Sequence, residues 1–294
     1  MDIIPLPQGG RGDRNILHNQ VTEVFTMFRT LLNPLLLLVA MVICTPLFSV
    51  PAMAAPDARA LLKESETRHR TKTQQYSGDL TVVNKEGKVR KKGWNSYRQG
   101  YAGDSKNLIR FTDPPEVKGV GFLSLPRPGS DNPDQWLYLP SMKRERRIAP
   151  QDRDASFVGT DFNYEDMEEF DHEKYKVSLQ GEETIDGQPC WVITAIPLEK
   201  GSKSIYQKLV LYLRKDILYL VREDLVRKGE KEPAKRLVLS DIKNVEGHYV
   251  AARMEMTDLK KGSHTTVTLK QISFNRPQPA SRFTLQNLTR EGGD

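Results

Sequence analysis

The sequence predicts a mainly β protein built around one antiparallel sheet system, and three observations carry that expectation. From about residue 76 onward, short runs alternate apolar and polar side chains. Turn residues such as Asp113-Pro114-Pro115, Asp186-Gly187 and Lys261-Gly262 separate those runs at regular spacing. Helical periodicity is confined to one stretch near the start of the folded part. About a dozen short strands joined by hairpin chemistry, without long helices between them, indicate antiparallel pairing rather than βαβ units.

The first 54 of the 294 residues read as a targeting region. Arg29 precedes an apolar run from Leu31 to Val50, and Ala52-Met53-Ala54 then gives the small-x-small pattern of a cleavage site. Residues 27–54 are thus expected to be a signal peptide cut between Ala54 and Ala55, which places the mature chain in the periplasm. Residues 1–26 are either an over-extended start or a short cytoplasmic leader, because Met27 stands just before Arg29. An uncleaved anchor is the competing reading, since about 20 apolar residues span a bilayer. Pro34 and Pro46 within the run favour removal. Cys44 follows Val42 and Ile43 where lipid attachment would want small residues, so no lipidation is expected there. Cleavage leaves Cys190 as the lone cysteine. It excludes an internal disulfide, and its neighbours Trp191, Val192 and Ile193 suggest a buried, unreactive thiol.

Residues 55–294 are expected to form a single domain. It opens with an amphipathic helix from Asp57 to about Thr73, with Asp57 as N-cap and Ala58, Leu61 and Leu62 on one face. His69, between Arg68 and Arg70, is expected on its solvated side. The strands that follow each have one dry face. Leu209, Leu211 and Leu213 oppose Lys208, Val210 and Arg214; Ala252, Met254 and Met256 oppose Arg253 and Glu255; Thr265, Val267 and Leu269 oppose Thr266 and Lys270. Charges on the second face argue against an outer-membrane barrel, where each would cost about 2–4 kcal/mol at mid-bilayer. A curved sheet with an apolar concave face fits better.

Gln135 to Phe170 is the least ordinary stretch. A short aromatic strand turns at Pro140 into the basic residues Lys143, Arg144, Arg146, Arg147 and Arg153. An aromatic, acidic segment follows, with Phe157, Phe162, Tyr164, Met167 and Phe170 among Asp161, Glu165, Asp166, Glu168 and Glu169. It reads as a movable cover over an apolar cavity. The acids lack the alternating ladder and central glycine of a calcium loop, so neutralisation of Lys143–Arg153 across a fold-back, or a solvated helix face, is the expected role. Asp161 is a candidate cap for a short helix starting near Asn163.

No catalytic constellation emerges. His69, His172, His248 and His264 are scattered singly; there is no His-Glu-x-x-His, no Gly-x-Ser-x-Gly and no phosphate loop, so neither an enzyme nor a cofactor is expected. Gly119 and Gly121 are expected to allow a close backbone approach. The net charge of +6 suits an anionic surface, but in an exported chain the basic run points to a lipid headgroup, a partner protein or simply a strand with a charged outer face, rather than to nucleic acid.

The residues Arg110–Leu125, Trp136–Ile148, Ser156–Met167, Gly181–Ile193 and Ile272–Leu285 together resemble the periplasmic outer-membrane lipoprotein-sorting proteins, the LolA-like superfamily. The likeness covers nearly the whole mature chain, and SFVGTDFNYEDM is its most specific part. It implies an unclosed, strongly curved antiparallel β-barrel of about 11 strands, with an N-terminal helix and short lid helices across the open mouth. It also implies binding of acyl chains and transport of lipid-bearing cargo. The stretch near 141–171 departs from the lipoprotein carriers as an insertion, and association of this branch with RND-type exporters extends the cargo to free lipids.

The expected function is therefore non-enzymatic carriage of lipid or lipoprotein acyl chains by a monomer, between an inner-membrane exporter and an outer-membrane acceptor. Expected cavity residues are Phe122, Leu123, Trp136, Tyr138, Leu209, Leu211, Leu213, Met254 and Met256. Phe157, Phe162, Tyr164 and Met167 are expected in the lid, and Lys143, Arg144, Arg146 and Arg147 in headgroup or partner docking. Whether the dry face encloses a cavity or a filled core stays open at this level. The alternative is an envelope interaction or sensor module that docks through 143–153.

Overall fold

The computed structural model describes residues 55–290, apart from Ala102, Asp131 and residues 199–202. The expected extension 1–26, the signal segment 27–54 and Cys44 lie outside the described residues. Helix α1 (Ala58–His69) begins where expected: the Asp57 side chain accepts from Ala60 N at 2.8 Å, and Ala58 and Leu62 are buried. His69 departs from the reading. Its ring contacts the carbonyls of Ile217 and Leu218 at 3.0 and 3.1 Å and meets Tyr219 edge-on, and burial lowers its pKa.

Thirteen strands follow. The first six are β1 (Thr73–Val83), β2 (Val89–Gln99), β3 (Lys106–Asp113), β4 (Gly121–Leu125), β5 (Asp134–Leu139) and β6 (Arg144–Arg147). The other seven are β7 (Tyr175–Ile185), β8 (Gln188–Pro197), β9 (Tyr206–Arg214), β10 (Tyr219–Arg227), β11 (Lys235–Val245), β12 (His248–Asp258) and β13 (Ser263–Phe274). A short helix α2 (Leu285–Thr289) ends the described chain. The count exceeds the expected 11, in part because the insertion near 141–171 contributes β6 from its basic residues.

All thirteen strands form one antiparallel sheet in the order β6-β5-β4-β3-β2-β1-β13-β12-β11-β10-β9-β8-β7. It is two meanders, β1–β6 and β7–β13, zipped together where β1 pairs with β13. The sheet does not close: β6 and β7 are its two edges. A bulge at Ser77/Gly78 bends β1 against β13, and there a Cβ on Gly78 would sit 2.1 Å from the Thr268 carbonyl oxygen.

The inner face carries two apolar clusters. One gathers Leu80, Trp94, Phe111, Phe122 and Val267; the other gathers Leu209, Leu211, Leu213, Leu225 and Met256 under α1 residues Ala58 and Leu62. Residues 148–174 join the two edge strands and run between these clusters as a strap. The expected lid helices are present only as single 3₁₀ turns, at Pro150–Asp152, Glu165–Met167 and His172–Lys174.

On the outer face, Phe283 and Leu288 of the C-terminal segment cover Tyr97, Leu108, Leu123 and Tyr138. Gly121 makes room for this contact, since a Cβ there would lie 2.7 Å from Leu288 Cδ1. Cys190 is fully buried beside Tyr212 and Val221, and burial raises its thiol pKa.

Candidate functional site

Strand pleating divides the expected cavity residues. Phe122, Leu209, Leu211, Leu213, Met254 and Met256 stand on the inner face, in or against its two clusters. Leu123, Trp136 and Tyr138 stand on the outer face, packed under the C-terminal segment. The register explains the split. Phe122 pairs with Leu137 and Leu123 with Trp136, so consecutive residues point to opposite sides and Leu137, not Trp136 or Tyr138, is the inward partner of Phe122. The alternation rule applied to 122 and 123 already contains this signal.

The strap places its aromatic residues against the inner face. Phe157 and Tyr164 are buried, and Phe157 meets the Phe122 ring edge-on at 5.2 Å and the Tyr164 ring at 5.8 Å. Met167 packs against the first cluster, and Phe162 touches both. Gln135 Nε2 on β5 donates to Tyr164 O at 3.3 Å, tying the strap to the inner face there.

Polar contacts to strands across the sheet hold the strap in place. Asp161 accepts from Ser263 Oγ at 2.5 Å and Thr265 Oγ1 at 2.6 Å. Asp166 accepts from Tyr206 Oη at 2.6 Å and from Lys235 Nζ at 2.9 Å; the Lys235 ammonium also donates to Asn163 Oδ1. Lys235 is 1% exposed, and burial lowers its pKa even though Asp166 opposes that shift. Glu165 accepts from Ser204 Oγ and from Ile205 N, and Arg227 pairs with Asp154 at 2.7 Å. Lys92 Nζ donates to Val158 O at 2.5 Å.

These partners correct two expectations about the acids. Asp161 does not cap the turn at Glu165–Met167; Asp166 accepts from Asn163 N there instead, at 2.7 Å. Of the basic residues 143–153, Arg153 pairs with Glu168 at 2.7 Å and Glu165 at 3.7 Å, and Arg146 with Asp152 at 3.1 Å; the acids otherwise engage distant strands. Lys143, Arg144, Arg146 and Arg147 are exposed on and beside edge strand β6, and Arg147 also pairs with Asp134. Of these four, among the described residues, Arg146 alone pairs with a strap residue, Asp152.

Beside the strap lies a cavity of about 570 Å³, within the roughly 300–1,000 Å³ of small-molecule sites. Phe162, Leu209, Leu225, Leu237 and Met256 form its apolar part, and Phe170 and Leu198 stand exposed at its mouth. Glu223 borders it, placed by register between Leu211 and Leu237. Burial, with Asp166 and Asp224 nearby, pushes the Glu223 carboxyl up to about 8. Its neighbour Asp224 points the other way, to Arg222 and Arg236; burial would raise its pKa, but their hydrogen bonds outweigh it and hold it low. Glu168, at the mouth, is pushed up to about 7 by burial, with Arg153 as partial offset. Among the described residues no cluster of metal-ligating side chains occurs.

The described residues thus form an open antiparallel sheet with a strap against its apolar inner face. Residues 103–290, more than half of the chain, match a family described only as "-like: Uncharacterized protein", and the chain belongs to that family. Solved structures extend the likeness. An outer membrane lipoprotein-sorting protein domain, so assigned, from Vibrio parahaemolyticus is 26% identical with a TM-score of 0.73, over 79% of this chain and 97% of its own. A DUF1329 family protein from Desulfovibrio piger is 26% identical with a TM-score of 0.74, over 80% of this chain and 100% of its own. A LolA superfamily protein from Nitrosomonas europaea shares the fold at 17% identity, with a TM-score of 0.62, over 79% and 99%. No curated protein sequence matches the chain.

Proposed function

We propose that this protein is an envelope carrier for the acyl chains of lipids or lipoproteins. The observation that carries the reading is an inner face with two apolar clusters, covered by a strap that is fixed to the sheet by polar contacts as well as by its aromatic residues. A bare acyl chain in water forgoes about 0.8 kcal/mol per exposed CH₂, so a carrier must shield it and still release it. Hydrogen bonds and ion pairs suit that need, because water replaces them when the strap lifts, leaving a modest net cost for each. The likeness to a domain assigned to outer-membrane lipoprotein sorting supports the cargo class. It also supports residence in the envelope and a role as carrier rather than enzyme, while the apolar run and the cleavage pattern of residues 27–54 are the ground for an export signal.

In this reading the inner residues Phe122, Leu209, Leu211, Leu213, Met254 and Met256 contact cargo, while Phe157, Phe162, Tyr164 and Met167 form the displaceable cover. The exposed basic residues Lys143, Arg144, Arg146 and Arg147 dock the carrier on an RND-type inner-membrane exporter or an outer-membrane acceptor. Their exposure on and beside an edge strand favours a surface role of this kind.

Native mass spectrometry of gently purified protein tests the reading. Co-purified lipid, or saturable binding of acyl probes, is expected; a chain with neither is not a carrier. Reversing Arg144 and Arg146 to Glu should abolish partner pull-down and leave lipid binding intact. Were pull-down lost in a chain that binds no lipid, the docking-module alternative would replace the carrier.

A further inference from the structure

The strap-side cavity has a charge pattern that acyl-chain binding alone does not require. Its described lining holds seven carboxyl side chains against three cationic ones. Two of the three cations already serve lining acids: Arg153 pairs with Glu168 and Glu165, and Lys174 with Asp171 at 3.8 Å. Deeper, Glu223 borders the same space as Leu209, Leu225, Leu237 and Met256, and among the described residues no hydrogen bond or ion pair engages its carboxyl. The charges that bear on it, Asp166 and Asp224, are themselves acids, and each is committed to its own cationic partners. Glu223 is half-buried and flanked by hydrocarbon, so its carboxyl is open to a partner that a ligand entering the cavity supplies.

We propose that the cavity takes a single-chain amphiphile whose head carries hydroxyl or amine donors and no net negative charge, with Glu223 as the residue that receives that head. The inference rests on the carrier reading above and narrows its cargo. A carboxylate or phosphate head would enter a field set by the excess acids, in a space walled partly by hydrocarbon, where like charges repel more strongly than in water. A hydroxyl head meets a Glu223 carboxyl that keeps its proton near neutrality and can both donate and accept. An ammonium head draws that proton off and pairs with the carboxylate. The volume suits one chain with its head; a bulkier cargo requires the strap to leave the inner face.

Three probes with the same 12-carbon chain test this, used below their micelle concentrations with the whole protein: monolaurin, dodecylamine and laurate. Calorimetric titration should give monolaurin and dodecylamine affinities about tenfold or more above that of laurate. The isosteric variant Glu223→Gln, its fold checked by circular dichroism, should lose about tenfold in dodecylamine affinity and keep monolaurin binding within about threefold. Laurate binding as tightly as monolaurin, or dodecylamine binding unmoved by Glu223→Gln, overturns the inference and leaves the carrier standing. Failure of all three probes to bind the wild-type protein overturns both.

Discussion

Glu223 and Asp224 are adjacent, chemically near-identical and oppositely treated by one strand. Pleating turns Asp224 outward to Arg222 and Arg236 and Glu223 inward to hydrocarbon. The sign of the resulting pH effect follows. Glu223 and Glu168 have folded pKa values raised to about 8 and about 7, above the ordinary 4.5. Each binds its proton more tightly when folded, so their contribution is complete below about pH 4.5 and is lost as pH rises through 7 and 8. Glu223→Gln should therefore raise Tm by a few degrees above pH 8, by less at pH 6 and not at all near pH 4.5, in thermal scans against the wild type. Gly78 is constrained by space rather than charge. Because its Cβ would overlap the Thr268 carbonyl, Gly78→Ala should destabilise by about 1–3 kcal/mol in urea titration.

At the scale of elements, one of the strap's fixings is the buried pair of Asp166 with Lys235. Asp166→Ala leaves Lys235 charged, buried and short of its carboxylate, which costs about 3–5 kcal/mol. Replacing both, as Asp166→Leu with Lys235→Met, should recover much of that loss while leaving the strap more loosely held. Hydrogen exchange over 153–168 distinguishes the two effects. Helix α1 and most strands were readable from the sequence: Asp57 caps where its position implies, and β9, β12 and β13 bury the faces their alternation marks. Edge strand β6, with its four exposed charged residues, carries no such mark, because nothing along it is buried. The strap was recognisable by composition, but its fixings were not. Lys235, Ser263 and Thr265 lie about 70 to 100 residues from their partners, and an isolated Ser, Thr or Lys in a strand has no local signature of the carboxylate it will meet. His69 escaped for the same reason, since its partners are carbonyls at 217 and 218.

For the whole molecule, the open edges matter as much as the interior. β6 and β7 each have one strand partner, and the charges of β6 discourage pairing with another chain. In the proposed function the same charges serve as the docking edge. Reversing Arg144 and Arg146 changes surface groups that are exposed, so Tm should move by no more than about 1 kcal/mol equivalent even as partner capture is lost. In the carrier reading, by contrast, cargo and strap share the inner face. Loading a large ligand is then an exchange in which the strap's aromatic residues give up their contacts as the acyl chain makes its own.

The position of the β1–β13 seam has a further consequence. The strap is the covalent link between a contiguous six-strand half and a contiguous seven-strand half, and the ladder from Gln74↔Phe274 to Val83↔His264 holds those halves together without it. The gene could therefore be cut within the strap, near Gly159, into two pieces that reassemble by complementation through a single backbone zipper. Such a split protein would be a sheet whose mouth no longer has a continuous bar across it.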